Sequence, residues 1–282
     1  MDITDNLIID SYKILQKHFN KQFLLAKTKL EMDWLNLKYA HSIDVYMCMV
    51  NLIQNEEKLN TLSKENQTRL LVGALLHDIG RFYQFKNNEI QRHLNHGDMG
   101  KQILIEDENF DDEYILLFVK LHEAQSKIED EPFFQSLNEE EKKFATLGLQ
   151  AVEDSDIVAN LQKFPEQNTF YTFLNEKRTY EPIISDEIIN ATLEGRHFKG
   201  KILSRSIFDG IAIEICIIRL LKYEHSKNVC NKFYLAKFVY ERLEKTIETS
   251  FKQKLISDND FKMLSKKANI LKECLIEAKF KI

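Results

Sequence analysis

Residues 69–81 read RLLVGALLHDIGR. Leu70, Leu71, Val72, Ala74, Leu75 and Leu76 make the stretch apolar around nearly the whole helical circumference, the pattern of a buried helix. His77 and Asp78 stand side by side in that apolar surround. An ionisable pair is costly to bury unless charges, hydrogen bonds or a metal match it. Gly80 and Arg81 follow at once, so the pair falls at the helix's C-terminal end, where a pocket can open. A single His-Asp dipeptide also arises by chance, and its meaning turns on the partners found elsewhere.

Working outward, residues 7–30 carry Ile8, Tyr12, Leu15, Phe19 and Phe23 at helical spacing. A second helix over 33–54 holds Tyr39, His41, Val45, Cys48 and Leu52. Residues 82–100 are polar and turn-rich, a loop leading into a helix that contains Ile103 and Leu104. DEYILLFVKLH, 112–122, is an apolar helix ending on a histidine. The stretch 136–161 reads as one long helix capped by Ser136 or Asn138, with Asp154 and Asp156 late in it. Residues 163–200, with Pro165, Pro182, Gly195 and Gly200, look like a connecting region with short elements, and from Lys201 the chain is helical in about three segments. Only 3 Pro and 8 Gly occur in 282 residues, too few for many tight turns, and the prediction is an all-α fold. Its expected organisation is one helical domain over 1–165 and a helical extension over 166–282 that packs on it and does not fold independently.

The formal net charge of −5 excludes a general nucleic-acid-binding surface. Cys48, Cys216, Cys230 and Cys274 show no C-x-x-C spacing and read as reduced core residues. The N-terminus MDITDNLIID lacks the basic region and apolar run of a signal peptide. No apolar run reaches membrane-spanning length, and the richest, 211–221, contains Glu214 and Arg219. A soluble cytoplasmic protein without membrane partners is expected, with its oligomeric state open.

His41, the pair His77-Asp78, His96, His122 and Asp156 fall at core-facing positions or pocket-facing ends of successive predicted helices. A lone core histidine is usually a satisfied structural residue, but imidazoles and carboxylates together are ligands for Mn, Fe, Zn, Co or Mg. Six such residues suffice for two ions sharing one carboxylate, an arrangement that activates water and stabilises a leaving oxygen.

The order H…HD…H…H…D, with ALLHDIGRF around the doublet and HGDMGKQIL after it, resembles the HD-domain metal-dependent phosphohydrolases over roughly 35–165. The resemblance implies a helical bundle around a metal site. It assigns His41, His77, Asp78 and Asp156 to a first ion, with Asp78 bridging to a second held by His96 and His122. Within RHLNHG, His93 competes with His96, and within EDSDIV, Asp154 competes with Asp156; the family motif favours His96 and Asp156. The basic residue that often follows the family's last aspartate is Ile157 here. Members with these six ligands include dinucleoside-tetraphosphate hydrolases, cyclic-dinucleotide phosphodiesterases and diiron oxygenases.

The expected activity is hydrolysis of a small phosphorylated substrate, a phosphomonoester or phosphodiester of a nucleotide. The alternatives are a diiron oxygenase and an inactive nucleotide- or metal-binding module. Arg81 is the candidate phosphate contact, weighed against a surface arginine favoured by the helix dipole. Lys101 and Lys127 are weaker candidates, with solvated lysine the alternative for each. Arg196, Lys199, Lys201 and Arg205 form a basic cluster that faces either an anion or solvent; GRHFKG lacks the P-loop spacing.

Overall fold

Strong helix formers and well-placed caps set the architecture, which a computed structural model describes for residues 3–86, 89–91, 94–123, 125–163, 179–197 and 206–282. The fold is all-α apart from a small antiparallel hairpin, β1 (Phe85–Lys86) and β2 (Glu89–Ile90). The chain divides into two compact units, Met1–Ala159 and Asn160–Ile282. Among the described residues no helix is long and apolar enough to cross a membrane.

The first unit begins with α1 (Ile3–Leu25) and α2 (Lys29–Asn55). Thr28 and Glu31 form a capping box that starts α2, satisfying backbone donors that the first turn leaves unpaired. A short α3 (Glu57–Asn60) leads to the central α4 (Lys64–Leu76), capped by Ser63. Leu70, Val72, Ala74, Leu75 and Leu76 are wholly buried, and each large apolar side chain so buried contributes about 1.5–3 kcal/mol. α1, α2 and α6 (Glu113–Leu121) all pack on α4, the reason its apolar surface extends all round.

After α4 the chain tightens into a 3-10 turn (Ile79–Tyr83), crosses the hairpin and enters α5 (His96–Glu108). Asn95 caps α5 by accepting from the Gly97 and Asp98 amides, and Asp112 caps α6 in the same way through Tyr114 and Ile115. A second 3-10 turn (Gln125–Asp130) and α7 (Pro132–Ser136) precede α8 (Glu139–Lys163). Of the two predicted caps for α8, Asn138 is the one used: its Oδ1 accepts from the Glu141 amide at 3.0 Å, and Glu141 returns the bond to the Asn138 amide at 2.9 Å.

The second unit contains α9 (Asp186–Glu194), α10 (Ile207–Ile218), α11 (Glu224–Lys232), α12 (Leu235–Lys252) and α13 (Asp258–Glu277). α9 lies where the sequence suggested a connecting region. It ends at Gly195 in the left-handed conformation, which closes a helix at little steric cost. After Lys201 there are four described helices where three were expected, because Phe233 and Tyr234, the latter at φ 53°, break one apparent segment into α11 and α12. All four cysteines are free thiols.

Candidate metal centre

Five helices of the first unit bring the predicted residues together. His77 and Asp78 lie at the end of α4, His41 on α2, His96 at the first position of α5, His122 at the end of α6 and Asp156 on α8. His41, His77, Asp78, His96 and His122 are buried, and Asp156 is partly exposed.

The rings at the two helix ends are oriented by the same device. His77 Nδ1 donates to the Ala74 carbonyl at 2.8 Å, and His122 Nδ1 donates to the Val119 carbonyl at 2.9 Å. Each bond satisfies a carbonyl that a helix terminus leaves unpaired, and a carbonyl can only accept, so the proton is fixed on Nδ1. The Nε2 lone pairs then point inward. His77 Nε2 is buried with no hydrogen-bond partner among the described residues, a lone pair that a cation would satisfy.

Asp78 stands at the centre with its two oxygens divided. Oδ2 lies 3.7 Å from His77 Nε2 and 3.9 Å from His41 Nε2, while Asp156 Oδ1 lies 2.8 Å from His41 Nε2 and 3.7 Å from His77 Nε2. Oδ1 lies 3.5 Å from His96 Nε2 and 3.6 Å from His122 Nε2, and those two nitrogens are 3.0 Å apart. Ligands about 2.1 Å from one ion at tetrahedral or octahedral angles are about 3.0–3.4 Å from each other. The separations here, 2.8 to 3.9 Å, bracket that spacing, and the chemistry of the donors fits a divalent metal.

The electrostatics agree. Burial alone would raise the Asp78 carboxyl, but Lys38, His77 and Arg81 reverse that and hold it well below the usual carboxylate range. Burial likewise opposes ionisation of Asp156, and His41 and His77 overcome it. Burial pushes His41 down and His96 down to about 3, against the pull of nearby carboxylates, leaving them neutral as a metal ligand must be. Burial also opposes protonation of His122, yet Asp78 and Glu123 raise it, a sign of excess negative charge at that spot.

The family model of the HD domain matches residues 38–161. This segment is similar to the HD domain. No curated protein and no solved structure matches the chain. HD domains belong to a superfamily of metal-dependent hydrolases, and all six residues above lie inside the matched segment.

The structure also separates the sequence's alternatives. Asp156, rather than Asp154, faces the histidines of the cluster; two residues apart on a helix is about 200°, so only one of the two can. His93 lies outside the described residues. Arg81 is not a surface arginine: its guanidinium donates to Asp78 Oδ1 at 3.3 Å, Gln84 Oε1 at 2.9 Å and Glu123 Oε1 at 2.7 Å. Lys101 Nζ is 3.9 Å from Glu113, and Lys127 is exposed. In the second unit Arg196 is paired with Glu187 and Glu194, while Lys199, Lys201 and Arg205 lie outside the described residues.

Two residues of the centre escaped the sequence reading. Lys38 Nζ donates to Asp78 Oδ2 at 2.8 Å from above the Trp34 ring, and Trp34 Nε1 in turn donates to the Arg81 carbonyl at 3.1 Å. Its only sequence signal is its position one helical turn before His41. Glu123 follows His122 directly and sits half-exposed between Arg81 and His96. Lys38 and a metal compete for one oxygen. Lys38→Met is expected to bind Mn about tenfold more tightly, the equivalent of one modest charge-assisted hydrogen bond. Titration calorimetry checks this, and unchanged affinity would show that the ammonium does not compete.

Proposed function

We propose that this protein is a metal-dependent phosphohydrolase acting on a small phosphorylated substrate, a phosphomonoester or phosphodiester of a nucleotide. The observation that carries the reading is the division of Asp78 between two donor groups, His41, His77 and Asp156 on one side and His96 and His122 on the other. Bound divalent ions would supply activated water and neutralise charge on the phosphoryl group. The chain's own part is to fix those donors. The backbone bonds from His77 and His122 set tautomer and ring angle, and Asp78 ties the two halves together.

Lys38 and Arg81 are the cations beside the cluster, and both side chains are partly exposed at its edge. In this reading Arg81 binds a phosphoryl oxygen, for which a guanidinium has the better geometry, and stabilises its developing charge. Opposite-charge partners on the open side favour an anionic substrate over a neutral one. The test is elemental analysis of untagged protein purified without chelator, followed by phosphate release from a nucleotide panel with Mn, Mg and Co. About two ions per chain with phosphate release is the expected result. Two irons with oxygen uptake and no phosphate release would replace the hydrolase with an oxygenase. Turnover by metal-free protein would refute the reading outright.

A further inference from the structure

Glu123, like Asp78, has its two oxygens on different duties. Oε1 accepts from Arg81 at 2.7 Å, whereas Oε2 lies 3.5 Å from His96 Nε2. With His96 and His122 it forms a group of donors that lie within 4.8 Å of one another. The His96 and His122 nitrogens are buried and Asp78 Oδ1 is beneath them, so Glu123 is the donor on the solvent side.

Resting on the two-ion reading above, we infer that Glu123 is a fourth protein ligand of the second cation position, and that Arg81 is its competitor when that position is empty. The geometry requires no large movement. The carboxylate already faces the two histidines, and its hold on Arg81 is one hydrogen bond shared with Asp78 and Gln84. An ion taking charge from both Glu123 and Asp78 draws on the same two carboxylates that pin the guanidinium. Filling the second position thereby loosens Arg81 toward an incoming anion, so that the phosphate contact becomes available once the site is loaded.

The experiment is Mn titration calorimetry of the full chain, stripped of metal, as wild type, Glu123→Gln and Arg81→Gln. Glu123→Gln is expected to weaken the second binding step by about tenfold or more while the first stays within about twofold. Arg81→Gln is expected to tighten the second step, because it frees the carboxylate. A merely structural Arg81–Glu123 pair would make both substitutions weaken binding alike, and that result overturns the inference. So does a second step that Glu123→Gln leaves unchanged, which would leave the two-ion reading standing. Wild-type protein that takes up fewer than two ions overturns that reading and the role of Glu123 with it.

Discussion

Asp78→Ala is expected to lose both ions and at least about a thousandfold of any hydrolytic activity while keeping its helical content. Asp78 serves both donor groups: Oδ2 faces His41 and His77, and Oδ1 faces His96 and His122. The substitution also strands the Lys38 ammonium and removes one acceptor from Arg81. Breaking a fully buried ion pair costs about 3–5 kcal/mol. Lys38 and Arg81 both reach solvent, and Arg81 keeps Glu123, so the loss here falls below that range. Elemental analysis, circular dichroism and the melting temperature together check this. An Asp78→Ala protein that retained two ions would place the bridge elsewhere.

Gly97→Ala is expected to lose the second ion, keep the first and melt well below the wild type. A Cβ at Gly97 would sit 2.2 Å from the Lys120 carbonyl oxygen and 3.0 Å from its carbon. Both are backbone atoms of α6, so no side-chain rotation relieves the clash. α5 must move away from α6, and His96 and His122, whose Nε2 atoms are 3.0 Å apart, are carried by those two helices. Overpacking of this kind costs roughly 1–3 kcal/mol, and more where backbone meets backbone. His41, His77 and Asp156 do not ride on α5 and are left as one donor group, with Asp78 Oδ2 3.7 Å from His77 Nε2. Gly80 makes the matching approach on the other side, its added Cβ falling 2.1 Å from the His96 carbonyl oxygen. A variant that melted like wild type with two ions would show that α5 tolerates the shift.

The two substitutions differ because they act at different levels of the site. Asp78 supplies donors to both groups, whereas Gly97 supplies none and only sets how closely one helix approaches another. The metal content of the two variants therefore separates ligation from packing, with neither ion bound in the first and one in the second.

Much of this was legible in the chain itself. The scarcity of Gly and Pro and the 3.6-residue apolar spacing determined an all-α fold, and the apolar circumference of 70–76 determined a buried central helix. The His and Asp residues were legible because ionisable groups in apolar helices need partners, and six of them recur in one order. The pairing of His41 with Asp156 across 115 residues was expected from the family resemblance, but the pairings of Lys38 with Asp78 across 40 residues and of Arg81 with Glu123 across 42 were not legible. Local pattern carries no signal for such pairs, since a lysine, an arginine or a glutamate beside a ligand reads equally well as solvated charge. Only the packing of α2 and α6 on α4 and of α5 on α6 decided which of these charges meet and that Arg81 is held by carboxylates; for the two aspartates it agrees with the family motif in turning Asp156 inward.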